Sequence, residues 1–225
     1  MTVRWDVRPA YEIEQKIFAV NNYYGVEGTT SYEILSGRIP LLVSAPHAVK
    51  HRRAANTEPK EQDEYTGTIA RLLNEITGCY AMHATCPDLD PNFYDDCAYK
   101  GGVRRIVEEN DIKLVLDIHG ATRWRAFNVD IGSCHGKSVQ HNPELLDLLL
   151  EEFRNHGIAN VVVDDTFPGC GQPTVTRYVS AILNRAALQL EINKKLRDPE
   201  KDPESFVVLV ECLASYIRKV AGLIK

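Results

Sequence analysis

Short aliphatic runs alternate along the chain with longer stretches of helical period. "IPLLVSAPH" (39–47), "KLVLDIHG" (113–120) and "AALQLEIN" (186–193) are near-continuous apolar runs, as strands covered on both faces require. "SYEILSG", "CYAMHAT", "AFNVDIGS" and "NVVVDD" read as further strands. Near the start, "YEIEQ" and "KIFAV" carry aromatic and β-branched residues and also predict strand. "DEYTGTIARLLNEITG" sets Ile69, Leu72, Leu73 and Ile76 on one helical face, with Gly78 placed to end the helix. "AYKGGVRRIVEEN" predicts a helix despite its glycine pair. "NPELLDLLLEEFRNHG" predicts another, capped by Asn142 and closed by Gly157. "TVTRYVSAIL" reads as a short helix. "DPESFVVLVECLASYIRKVAGLIK" reads as a long amphipathic one, with Val207, Val210, Leu213 and Ile217 facing the core. "CPDLDPNFYDD" is turn-rich loop. Strands alternating with helices predict an α/β fold, a three-layer α/β/α sandwich around a mixed, mainly parallel sheet.

Composition narrows this picture. A chain of 225 residues, 44% of them hydrophobic, suffices for one well-cored domain over 1–225 and is short for two. The net charge of −5 and the lack of a dense Lys/Arg tract argue against nucleic-acid binding. No run approaches the roughly 18–20 apolar residues of a membrane span. "MTVRWDVRPAYEIEQ" has no apolar leader core, so a cytoplasmic protein is expected. The six cysteines are scattered with no C-x-x-C, the pattern of free thiols.

Three core strands end in residues of metal-site type: His47, His119 and Glu191. In open α/β sheets reactive groups gather where strands terminate, so the recurrence points to one shared spot. The acid-rich "EPKEQDEYTG" follows His47 and offers a carboxylate that could close back onto it. Two neutral imidazoles and one carboxylate match a catalytic Zn2+ site with an open position. Glu191 is the candidate for moving protons. Asp117 shares a strand face with His119, as a partner for the imidazole or a further ligand. Taken singly, each histidine is also accounted for as a satisfied core residue, and Asp63 and Glu64 as acids favoured by a helix dipole. Glu191 is harder to explain away, because an unpaired buried carboxylate is costly; Arg177 and Arg185 are its possible structural partners. "IGSCHGKSVQ" fails the spacing of a phosphate-binding loop. Cys134 and His135, adjacent on an extended segment, would point to opposite faces and make a poor nucleophile–base pair. His51, His83, His141 and His156 have no motif context and are expected at the surface or in loops.

Taken in order, "SAPHAVKH", "DEYTG", "LDIHG", "FNVDIGS" and "LQLEIN" resemble the N-formylglutamate amidohydrolase family over about residues 40–195. The resemblance implies a zinc-carboxypeptidase-like fold and zinc-dependent hydrolysis of a small N-acyl amino acid. It implies that His47 and His119 are the zinc histidines, that Asp63 is the acidic ligand beside its neighbour Glu64, and that Glu191 is the general base and acid. Two departures stand out. The position three residues after His47, where carboxypeptidase-type sites carry an acid, is Lys50, and the "D-x-H-S" of the better-known deformylases is "DIHG" here. A substrate carboxylate calls for a guanidinium, and Arg123, Arg125 and Arg177 are the candidates. Two further readings use the same residues: an esterase or peptidase acting on other substrates, and a metal- or ligand-binding protein without turnover.

Overall fold

The computed structural model describes residues 6–224 apart from Glu27, Ala54, Ala55 and Thr57. Its strands are β1 (Tyr32–Leu35), β2 (Ile39–Ala45), β3 (Cys79–Ala84), β4 (Leu114–Ala121), β5 (Val129–Gly132), β6 (Val161–Val163) and β7 (Ala186–Asn193). The helices are α1 (Arg8–Ile13), α2 (Thr66–Thr77), α3 (Ala98–Glu109), α4 (Glu144–Asn155), α5 (Val175–Ala181), α6 (Lys194–Arg197) and α7 (Pro203–Leu223). The strands form one sheet in the order β1-β3-β2-β4-β7-β5-β6. β1 and β5 run antiparallel to their neighbours β3 and β7, and the other pairings are parallel. Helices α2, α4 and α7 pack together on one side, and α3 and α5 on the other. This is the expected mixed, mainly parallel α/β sandwich.

The core strands are those the apolar runs mark. Every residue of β7 is buried, and β2 is buried from Leu41 onward. Helix α7 buries Phe206, Leu209, Val210, Leu213, Ile217 and Val220 at helical spacing, while Val207 is only half-buried. Gly78 ends α2 in the left-handed conformation (φ +79°), its N–H bonded to Asn74 O at 2.8 Å. Asn142 does not cap α4; the helix enters through Pro143, and the Asn142 amide faces Glu144. The six cysteines are unpaired.

The N-terminal segment departs from expectation. "YEIEQ" and "KIFAV" form no strand: α1 runs on into a wider π-type turn, Glu14–Phe18. Ala10, Glu14 and Phe18 are its buried residues, an i, i+4, i+8 series. The middle member is a carboxylate, which a hydrophobic pattern counts as solvent-facing, so the helical period is hidden.

Strand order also creates the site. From β2 the chain crosses to β3 on one side, and β4 then adds on the other side of β2. That reversal opens a crevice beyond the C-terminal ends of β2 and β4. His47 and His119 sit there.

Two adjacent glycines in α3 make a paired test. A Cβ on exposed Gly101 meets nothing within 4 Å, whereas one on Gly102 would lie 2.6 Å from Met82 Cε and 2.7 Å from Tyr32 Cζ. Gly101→Ala should stabilise by about 0.5–1 kcal/mol, and Gly102→Ala should destabilise by about 1–3 kcal/mol. Urea unfolding midpoints check both signs.

Candidate metal centre

β2 ends at Ala45, and the turn that follows places His47 at the rim of the sheet. β4 carries His119 in register with Glu191 of β7, which in turn pairs with Asp130 of β5. One row below lie Ser44, Asp117 and Gln189. The sheet thus presents two rows of polar side chains on one face. Asp63 comes from the turn before α2, and its backbone N–H donates to His47 O at 2.8 Å. That bond is how an acid sixteen positions downstream in the numbering closes back onto the histidine, while Lys50 is turned aside, its ammonium over the Tyr24 ring.

The three side chains meet. His47 Nδ1 and His119 Nδ1 are 3.2 Å apart, and Asp63 Oδ2 lies 3.4 Å from the first and 3.6 Å from the second. Bonds of about 2.0–2.2 Å in tetrahedral array put ligand atoms about 3.3–3.6 Å apart, so the spacing suits a small divalent cation. The far side of each ring explains its protonation. His47 Nε2 is 2.8 Å from Asp90 Oδ1, and His119 Nε2 is 3.0 Å from Asp117 Oδ2. A carboxylate only accepts, so both Nε2 atoms carry hydrogen and both Nδ1 lone pairs face Asp63. Three acceptors in a buried space need a cation or a proton between them. The donor set of two imidazoles and a carboxylate fits zinc.

The supporting shell is dense. Asp117 also accepts from Ser44 Oγ at 3.0 Å, and Ser44 contacts the Tyr99 hydroxyl. Asp90 accepts from Arg53 Nε at 2.7 Å and from the backbone N–H of Asn92 at 2.8 Å. Asn92 Oδ1 accepts from the Val175 backbone N–H at 3.1 Å. His51 stacks on His47, with centroids 3.9 Å apart. His47, His51 and Asp90 also group closely enough to suggest a second cation site. The Arg53 guanidinium on Asp90 already neutralises that carboxylate and would repel a metal there.

Burial by itself lowers the pKa of both ligand-position histidines. For His47, hydrogen bonds to Asp63 and Asp90 outweigh that effect; for His119, Asp117 and Asp63 do so more strongly. Both therefore shift upward. Burial pushes Asp63 up, but the two imidazoles hold it well below the carboxylate range. Burial, aided by the neighbouring His47, drives His51 down to about 3, so it is neutral. Burial pushes Glu191 up to about 7. One of its oxygens accepts from Gln189 Nε2 at 3.1 Å, and neither Arg177 nor Arg185 pairs with it; they bond Asp95 and Asp111.

Glu64 turns away from the histidines to Lys194 Nζ at 2.6 Å. Beside Asp63 opens a cleft of about 560 Å³, lined by Gly120, Arg123, Lys194 and Arg197 among others, with Trp124 exposed at the rim. Arg123 is the member of the predicted arginine trio on this cleft. Arg125 stacks over Phe167, and Arg177 reaches Asp95. Arg197 is buried and donates Nε to Ile192 O, Nη2 to Ala121 O and Nη1 to Glu64 O. A Cβ at position 120 would sit 2.4 Å from its Nη2. The glycine of "DIHG" is therefore the space that Arg197 occupies.

Sequence reasoning left Asp90, Asn92, Arg53, Lys194 and Arg197 unassigned. The clue for Asp90 and Asn92 was slight: two polar residues flanking Pro91 in a turn-rich loop. His51 and His83, expected at the surface, are buried, His83 against Phe18 and Arg71. Asp130 spends its carboxylate on the backbone N–H groups of residues 165–167.

No protein-family model matches the sequence, and no curated protein matches it. Solved structures do match. N-formylglutamate amidohydrolase from Ralstonia eutropha JMP134 is 15% identical, with a TM-score of 0.68 over 87% of this chain and 98% of that one. A gene product from Agrobacterium tumefaciens is also 15% identical, with a TM-score of 0.62 over 89% of this chain and 99% of that one. A bacteriophage poly-gamma-glutamate hydrolase is 17% identical, with a TM-score of 0.56 over 91% and 96%. The chain shares their fold, as the ordered motifs predict.

Two predictions follow from the geometry. In the metal-free protein His47 and His119 bind protons above their ordinary 6.5, and Glu191 does so above its ordinary 4.5. The folded chain then holds more protons than the unfolded one, so the stability these groups add at low pH is lost as pH climbs through their folded values. Thermal midpoints of metal-free protein should fall from about pH 4.5 to about pH 7 as Glu191 titrates and go on falling above about pH 6.5 through the histidines, and Glu191→Gln should flatten the lower part of that slope. Metal-loaded protein should show the reverse trend, because protons compete with the cation for the same lone pairs. Separately, Gly120→Ser should displace Arg197 and cost about 2–4 kcal/mol in chemical denaturation; an unchanged midpoint contradicts the packing described.

Proposed function

We propose that this chain is a zinc-dependent hydrolase, a single amidohydrolase-like domain that cleaves the amide bond of a small, N-formylglutamate-like N-acyl amino acid. The observation that carries the reading is the convergence of His47 Nδ1, His119 Nδ1 and Asp63 Oδ2 within 3.6 Å, with both opposite ring nitrogens held by buried carboxylates. His47, Asp63 and His119 would hold the metal. Zinc bound there would polarise the scissile carbonyl and make water acidic enough to attack at neutral pH.

The chain's own residues supply the rest. Glu191 stands beside His119 in the sheet, and its pKa of about 7 lets it both take and return a proton near neutrality. It accepts a proton from the attacking water and delivers it to the leaving nitrogen, so that amide and water become carboxylic acid and amine. Asp90 and Asp117 keep the imidazoles in the tautomer that leaves Nδ1 free. Arg123, on the cleft beside Asp63, offers a fork to a substrate carboxylate. Arg125 and Arg177 do not line that cleft; they lie over Phe167 and against Asp95. Two of the similar structures are named for action on glutamate derivatives, which supports an acidic substrate. The phage enzyme also favours a second reading, hydrolysis of a glutamyl peptide at the same centre. A cytoplasmic setting is part of the proposal, supported by six unpaired thiols.

Elemental analysis tests the reading. Wild-type protein should carry about one zinc per chain, and His119→Ala should lose it. Glu191→Gln should keep the metal and lose about 10²-fold or more in kcat against N-acyl amino acids. A panel of N-formyl and N-acetyl amino acids, glutamyl peptides and esters separates the two substrates. Protein that takes up no zinc when it is offered rules out both, and zinc without turnover on the whole panel leaves a binding protein.

A further inference from the structure

Resting on the metal-binding reading above, we propose that Glu14 is a positioning residue for the metal centre: it holds the Asp63–Tyr65 turn from outside and so aims the Asp63 carboxylate at the two imidazoles. Asp63 is the one member of the trio that lies neither on a core strand nor in the turn directly after one. It sits in the turn that leads into α2, and the turn closes with Tyr65 in the left-handed conformation, at φ +66°. A tyrosine adopts that conformation only when its surroundings compel it. No side chain of the turn itself caps α2.

Glu14 fills that role from a distant segment. Its Oε1 accepts from the Tyr65 backbone N–H at 3.0 Å and from the Tyr23 hydroxyl at 3.0 Å, and its Oε2 accepts from Thr68 Oγ1 at 2.7 Å. The carboxylate is 1% exposed. A buried carboxylate is costly, and the three donors together with the positive end of α2 oppose that cost only in this geometry. The packing around it is as specific. The π-type turn directs both Glu14 and Phe18 inward. A Cβ on Gly67, in the first turn of α2, would lie 2.4 Å from the Phe18 ring and 2.7 Å from Ala48 Cβ. Ala48 is the residue after His47. The N-terminal helix, the start of α2 and the His47 turn therefore lock together at one glycine, and Glu14 is the polar clasp of that junction. The wider turn that disguised the N-terminal helix is what delivers the clasp.

The test is zinc affinity, measured by chelator competition on full-length protein, alongside urea unfolding of the metal-free form. Glu14→Gln should weaken zinc binding by roughly 10–100-fold, the scale of lost ligand-orienting partners. In an Asp63→Ala background the same substitution should have little further effect on affinity, because its action runs through Asp63. A purely structural role would lower the unfolding midpoint and leave affinity unchanged, or lower affinity equally in both backgrounds; either result overturns the proposal. Should Glu14→Gln fail to fold, Thr68→Val and Tyr23→Phe each remove one of the three bonds. Each should weaken zinc binding several-fold, and wild-type affinity in both overturns the proposal. Wild-type protein that takes up no zinc sinks the metal reading and this inference together; zinc uptake with no effect at Glu14 sinks the inference alone.

Discussion

Three facing acceptor atoms, which need a cation or a proton between them, hold the key to this structure. His47 Nδ1, His119 Nδ1 and Asp63 Oδ2 face one another across less than 4 Å in a buried space. Their mutual repulsion is tolerable only with positive charge among them. Much of the surrounding architecture serves to bring about this approach. The strand-order reversal at β2 provides the crevice, the Asp63–His47 backbone bond returns the acid to it, and Asp90 and Asp117 prevent either ring from escaping by swapping tautomers.

The cost of such a site is carried by the shell around it. Asp90, Asp117, Glu14 and Arg197 are all buried. An isolated charge in that environment would cost several kcal/mol, and each is stabilised by several specific partners. Asp90 meets an imidazole, a guanidinium and a backbone N–H; Asp117 an imidazole and a hydroxyl; Arg197 three carbonyls. Such groups add little net stability, but they have essentially one low-energy arrangement. That arrangement specifies the positions of the three facing atoms, which apolar packing alone would leave loose.

Legibility differed by kind of residue. β2, β4 and β7 were plain because a strand buried on both faces leaves an uninterrupted aliphatic run. A polar residue at the end of such a run, as at His47, His119 and Glu191, stands out against it. The N-terminal helix was hidden because its central inward position is Glu14, a charge in an apolar place. Asp90 and Asn92 were hidden because a loop residue's partner is set by three-dimensional proximity, and "PDLDPN" carries no trace of a histidine 43 positions upstream in the numbering.

The sequence by itself determined the fold class, the central strands and the short set of residues able to do chemistry, because periodicity and burial are local properties written in residue type. Only the tertiary structure decided that Asp63 and not Glu64 faces the imidazoles, that Arg123 and not Arg125 or Arg177 lines the neighbouring cleft, and that Gly120 exists to admit Arg197. Those choices depend on where a turn ends and which way a side chain leaves it. Adjacent residues of similar chemistry are nearly equivalent until packing against distant segments makes one of them far cheaper to bury in place.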